Sequence, residues 1–177
     1  RNRLIKDQIS DSSWYLAIEK QMAVLGFEID RSRRYFIEDI NKTLIEKNLH
    51  FPPIRLDLKE EAIENNEAFF ENLINQRDKD LMSGRTNFGP HNDDLRGFYL
   101  DKEIDTKYCS TGEQKLSIIS IILSNAKLIK ERQNASPILI LDEITAHLDE
   151  VRKENLFSEL LSLESQFFIS GREKSIF

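Results

Sequence analysis

Cysteine is nearly absent from this sequence: Cys109 is the only one in 177 residues. A lone thiol excludes an internal disulfide framework and a zinc cluster built on thiolates. Long apolar runs are missing as well. None approaches the ~20 residues of a membrane span, and Arg1 to Ser10 lack the apolar stretch of a secretion signal. The expected compartment is therefore the cytoplasm. Basic residues are outnumbered, 25 against 31 acidic, for a net charge of -6. This excludes a generally basic DNA-coating protein and leaves local basic patches open. A Gly-x-x-x-x-Gly-Lys-Ser/Thr phosphate loop is also absent. Lys42-Thr43 and Lys174-Ser175 are the only Lys-Ser/Thr pairs, and neither follows the required glycines.

What remains is a globular balance, 40% apolar and 32% charged, with eleven Phe. The size fits one domain or two small ones, and the opening at Arg1 points to a piece of a longer chain. The first part reads as helical. Apolar residues recur from Ser12 to Lys47 at Trp14, Leu16, Ile18, Met22 and Leu25, then at Tyr35, Ile37, Ile40, Leu44 and Ile45. Trp14, Tyr15 and the Phe residues are expected in the core, and Gly26 marks a bend or a loosened turn. Pro52-Pro53 ends the helix. Ile54, Leu56 and Leu58 alternate with charged residues as a half-buried strand, and one charged helix is expected over residues 61–82.

Character changes near Ser83-Gly84, the expected boundary between residues 1–84 and 85–177. Residues 96–100 and 103–107 read as a strand pair, followed by a long helix from Glu113 to Arg132. Pro137 opens a buried strand, Ile138 to Leu141. A helix over Val151 to Leu163 and a strand, Phe167 to Ile169, complete the series. Alternating helix and strand predicts an α/β fold with parallel strands, joined to a mostly helical domain.

Two local patterns carry chemistry. Ile138-Leu139-Ile140-Leu141-Asp142-Glu143 is an apolar strand ending in two carboxylates. Ligands of open α/β sheets sit beyond such strand ends. Asp142 suits a hard divalent cation and Glu143 suits the orientation of an attacking water. The plain alternative is a strand that ends in an acidic turn. Cys109-Ser110-Thr111-Gly112-Glu113-Gln114 opens the long helix. Ser110 and Thr111 are N-cap types, and Gly112 lets backbone approach a ligand. A helix N-terminus can hold phosphate, or this is an ordinary cap.

Taken in order, the Ser-x-Gly-Glu helix start, the acidic strand and Ala146-His147-Leu148-Asp149 resemble the signature motif, Walker B and D-loop of ABC-type ATPases. Gly84-Arg85-Thr86-Asn87-Phe88-Gly89-Pro90-His91-Asn92-Asp93-Asp94-Leu95 is similar to a Gly-Arg-Thr…Gly-Pro-His…Asp-Leu segment of the RecF family, relatives of the SMC ATPases. The opening Arg-Asn-Arg-Leu-Ile-Lys and Gln21-Met22-Ala23 also resemble that family. The resemblance is dense over residues 84–150 and looser before them.

The resemblance implies the C-terminal part of an ABC-type (P-loop NTPase) ATPase head over residues 85–177 and a helical arm over residues 1–84. It implies a protein of DNA repair, recombination and replication linked to the SOS response. Such a protein dimerises with ATP and Mg²⁺, binds gapped or double-stranded DNA, and works with RecR and RecO to load recombinase. Ser110, Thr111, Gly112 and Glu113 would face nucleotide held by a partner subunit. Asp142 would support Mg²⁺, Glu143 would be the general base, and His147 and Asp149 would lie in the D-loop. Without the phosphate loop, these 177 residues alone are expected to be inactive and to hold no nucleotide. Full-length relatives would be slow ATPases.

The pattern departs from its models at three places. Cys109 stands where leucine is usual, Thr111 where glycine is, and Asn92 where the family often has arginine. No switch histidine follows the last strand, as in the narrower family. Other readings remain open. One is a different SMC-like ATPase, and another is a non-catalytic helical interaction module. Arg31, Arg33 and Arg34 form a basic cluster that is either a DNA contact or a solvated helix face. His91 with Asp93 and Asp94 reads as a tight turn, with metal as the minority alternative. His50 reads as a loop residue.

Overall fold

A computed structural model describes residues 1–46, 50–145 and 148–171. Two compact units are present, residues 1–36 with 58–95, and residues 37–57 with 96–177. These units do not follow a single cut at residue 84. The chain crosses between them once inside one long helix and twice at strands.

In the first unit, a short helix α1 (Asn2–Lys6) precedes α2 (Ser12–Glu46), a 35-residue helix whose residues to Phe36 belong here. Asp11 opens α2 by accepting from the Ser13 backbone N–H at 2.9 Å. Its buried face runs through Tyr15, Glu19, Ala23, Gly26 and Asp30, at helical spacing. Trp14 was expected inside and is 60% exposed, whereas Tyr15 is 2% exposed. Leu16, Leu25 and Phe36 are exposed too. The helix turns Glu19 and Asp30 inward because both find partners, described below.

The helix runs through Gly26 without a break. A Cβ there would lie 2.1 Å from Cε1 of Phe69, so the missing side chain makes room for the ring. Phe69 in turn meets Phe88 edge-on at 5.2 Å between centroids.

The single helix expected over residues 61–82 is two helices, α3 (Asn66–Asn75) and α4 (Arg77–Ser83). Its first residues are withheld from the helix. Asp93 accepts from Glu60 N–H at 3.1 Å, and Asp30 accepts from Ile63 N–H at 3.2 Å. Side-chain acceptors compete there with helical bonding. Asn65 then caps α3 by accepting from Ala68 N–H at 2.8 Å.

The second unit holds the end of α2, β1 (Ile54–Leu58 but for its last residue), β2 (Leu95–Tyr99 but for its first) and β3 (Ile104–Asp105). The strand order is β1-β2-β3, with β2 and β3 antiparallel. Asn41 clasps β1 with both amide atoms. Its Oδ1 accepts from Leu56 N–H at 2.7 Å and its Nδ2 donates to Leu56 O at 2.8 Å. Beyond these lie α5 (Thr111–Gln133), β4 (Leu139–Leu141), α6 (Glu150–Ser162) and β5 (Phe167–Ile169). β4 and β5 are parallel, with Leu141 opposite Ile169.

Leu116, Ile119 and Leu123 of α5 pack with Leu156 and Leu160 of α6 and with Leu141. Leu139, Phe167 and Ile169 join this core. The other face of the same pair of strands is open: Ile140 is 80% and Phe168 55% exposed. The strand expected to be buried from Ile138 to Leu141 is therefore covered on one face only. Strand residues alternate between faces, and the helices of this unit cover the face that carries Leu139 and Leu141.

Candidate nucleotide-handling site

Ser110 sits with extended backbone ahead of α5 and closes a capping box with Glu113. The Glu113 carboxylate accepts from the Ser110 N–H at 3.0 Å and from its Oγ–H at 2.9 Å, while Ser110 Oγ accepts from Glu113 N–H at 3.4 Å. This reciprocal pairing satisfies two N–H groups that the helix start would leave without partners. Lys102, in the short turn after β2, donates to the same carboxylate. Thr111 begins the helix. A Cβ at Gly112 would meet nothing within 4 Å, so the first turn presents open space there. That is the condition for backbone to come close to an anion.

The bond from Lys102, together with those from Ser110, holds the Glu113 carboxyl well below its ordinary 4.5, at about 2. The same contact raises the Lys102 ammonium. Because the folded-state value is depressed, the stabilisation is fully present above pH 4.5 and fades as pH falls through about 2. An NMR titration of the Glu113 side-chain carbon should show a midpoint near 2. Lys102→Ala should move that midpoint toward 4.5, and an unchanged midpoint would remove Lys102 from the cap.

Asp142 and Glu143 follow β4 directly, and both are exposed. Ser170 Oγ–H donates to Asp142 Oδ1, and the Glu143 backbone N–H donates to Ser170 Oγ at 3.2 Å. Glu143 adopts a positive φ of 47°, a region that residues other than glycine seldom occupy. The two carboxylates line a cleft of about 290 Å³ with Lys115, Ile118 and Ile122 of α5. Residues 115–122 of α5 and the end of β4 thus line one cleft. Carboxylate oxygens exposed at a parallel strand end are the donor type that a hard cation such as Mg²⁺ takes.

Asp149 caps α6, accepting from Arg152 N–H at 2.8 Å. His147 lies outside the described residues. The arginines of α2 are engaged within the first unit. Arg31 lies 5.6 Å above the Tyr35 ring. Arg33 donates to the Pro90 carbonyl at 2.6 Å. Arg34 bonds Asp30 at 3.0 Å and the Glu60 carbonyl at 2.8 Å. His91 bonds the Thr86 carbonyl at 3.0 Å within the turn that follows Gly89.

The Gly84-to-Leu95 segment winds around a buried charge cluster. Asn87 donates its N–H and its side-chain amide to Asp80 Oδ1, both at 2.9 Å. Arg1 reaches the other Asp80 oxygen, Glu19 at 2.8 Å and the Leu73 carbonyl at 2.8 Å. Arg77 closes on the second Glu19 oxygen.

Comparison with known proteins shows the family. The DNA replication and repair protein RecF of Mesorhizobium japonicum is 38% identical over 188 residues, covering all of this chain and 50% of the relative. The chain belongs to the RecF family. RecF proteins of Rhizobium rhizogenes, 34% identical over 187 residues, and of Brucella abortus, 38% identical over 189 residues, match it equally completely. The match lies in their C-terminal half, so the chain spans about half the length of the curated relatives it resembles. No family model matches the chain. Among solved structures, the recombination mediator protein RecF-ATP of the RecFOR pathway superposes with a TM-score of 0.77 at 21% identity. That superposition covers 98% of this chain and 49% of the other. The fold is thus the mixed α/β fold of RecF, a parallel strand pair with a mostly helical portion.

Sequence reasoning missed Ser170, which only the strand register brings to Asp142. With Leu141 opposite Ile169, the next residues in register are Asp142 and Ser170. Neighbours across parallel strands point to the same face. No helix among the described residues is long and apolar enough to cross a membrane.

Proposed function

We propose that the protein containing this chain is an ATP-dependent DNA-binding protein of replication and recombinational repair, acting in the cytoplasm. The observation that carries this reading is the exposed Asp142–Glu143 pair at the carboxyl end of a parallel strand, sharing a cleft with the helix that Ser110 caps. The names of the RecF relatives support the DNA assignment.

In this reading the other half of the relatives' length supplies the phosphate loop. The first compact unit serves as arm, and the second belongs to the head. Ser110, Thr111, Gly112 and Glu113 meet the terminal phosphate of ATP held by a second copy. The Ser110 hydroxyl turns its proton from Glu113 to that phosphate, a charge-assisted bond of roughly 1.5–3 kcal/mol. Asp142 holds Mg²⁺, which neutralises phosphate charge when bound. Glu143 orients the attacking water and accepts its proton. Asp149 lies toward the second copy.

Arg31 is the arginine of its cluster best placed to meet DNA phosphate, since it stays on the exposed face of α2. Arg33 and Arg34 already serve the fold. RecR and RecO are the partners in loading recombinase onto gapped DNA.

The test is fluorescence anisotropy of the full-length protein with gapped duplex, at two salt concentrations, with and without ATP. Tighter binding with ATP and a preference for the gap are expected. DNA affinity indifferent to ATP would overturn the reading.

A further inference from the structure

We infer that Ser170 is a positioning residue that sets the Asp142 carboxylate and the Glu143 backbone through one hydroxyl group; the inference rests on the ATPase reading above. Ser170 follows β5, and its own N–H donates to the Leu141 carbonyl at 3.0 Å, extending the parallel ladder by one step past the last paired residues. That step aligns its side chain with Asp142. The hydroxyl has one proton and two lone pairs, and both roles are used. It donates to Asp142 Oδ1 and accepts from the Glu143 N–H.

The second bond matters because Glu143 is a bulky residue with φ of 47°. Such a backbone persists only where its surroundings hold it. The first bond matters because a carboxylate on an exposed turn rotates freely unless one oxygen is engaged. Ser170 engages Oδ1, which directs the remaining lone pairs of the group outward for a cation. Ser170 touches neither cation nor water in this scheme and acts through Asp142 and Glu143. Partners of this kind typically cost 10–100-fold in metal affinity when removed.

Two measurements on the full-length protein test this. In the first, Mn²⁺ is titrated by electron paramagnetic resonance in the presence of a non-hydrolysable ATP analogue. Ser170→Ala should weaken Mn²⁺ by roughly 10–100-fold, Ser170→Thr should restore it, and metal-free binding of a fluorescent nucleotide should not change. In the second, hydrogen exchange at the Glu143 amide is followed without nucleotide. Ser170→Ala should speed it about tenfold, the size of one lost hydrogen bond, and Ser170→Thr should not. An alanine variant with Mn²⁺ affinity within twofold of the parent, or a threonine variant as impaired as alanine, overturns the positioning role. Unchanged exchange overturns the clamp on the backbone by itself. If the parent protein takes no Mn²⁺ with nucleotide, the ATPase reading fails, while the exchange measurement still decides whether the hydroxyl holds Glu143.

Discussion

Glu143→Gln in the full-length protein is expected to lower ATP turnover by roughly 10²–10⁴-fold, the usual contribution of a positioned general base. Glutamine keeps the shape of the side chain and loses the basic oxygen. Binding should therefore survive while proton transfer does not, and ATP-bound protein should accumulate. Light scattering after gel filtration with ATP and Mg²⁺ should show a dimer that the parent protein does not retain. The position favours this outcome. Glu143 is exposed, stands at the end of β4, and lines the cleft with Lys115. A variant that turns over ATP normally, or that fails to accumulate dimer, would remove Glu143 from the chemistry. Comparison with Ser170→Ala is informative, because that change leaves the base in place and removes the hydroxyl that bonds the Glu143 backbone and the Asp142 carboxylate.

The largest stability effect is expected at Glu19. Its side chain is fully buried, bonded to Arg1 through one oxygen and to Arg77 through both. Asp80 is equally buried and shares Arg1. The cluster pairs two guanidinium groups with two carboxylates, and backbone groups of Leu73 and Asn87 take up further bonds. Glu19→Ala leaves the buried Arg1 with Asp80 as its remaining carboxylate, and the partly exposed Arg77 loses both of its bonds to Glu19. Removing one partner of a buried pair costs about 3–5 kcal/mol. Urea denaturation followed by circular dichroism should show a loss of that size. Arg3 offers the control: its pair with Asp7 at 3.5 Å is exposed on both sides. Arg3→Ala should change stability by less than about 1 kcal/mol, as exposed pairs do. Similar losses at the two sites would mean that the buried cluster is not what holds this unit together.

Much of the second unit was legible because its signals are local. The α5 cap needs Ser110 and Glu113, three residues apart. The strand and its carboxylates are contiguous from Leu139 to Glu143, and β5 is a short apolar run bounded by polar residues. Hydrophobic period and cap chemistry act within one or two turns of chain, so a sequence displays them directly. The strand Ile54–Leu58 was equally plain from its alternation.

Tertiary structure alone decided the rest. Nothing local says that α2 buries Glu19 and Asp30 while leaving Trp14 and Leu25 in solvent. Glu19 goes inside because Arg1 and Arg77, 18 and 58 residues away, neutralise it there. Gly26 is needed because Phe69 packs on it, not because the helix bends. The expected helix over residues 61–82 starts late because Asp30 claims the Ile63 amide and Asp93 holds the Glu60 amide just before it. Ser170 lies 28 residues beyond Asp142 and reaches it only through the parallel register. Composition, caps and strand-end carboxylates were thus determined by the sequence itself. Which polar groups are buried, and which distant hydroxyl meets the Asp142 carboxylate, was decided by folding. Only the folded chain brings together the partners that make burial of charge affordable.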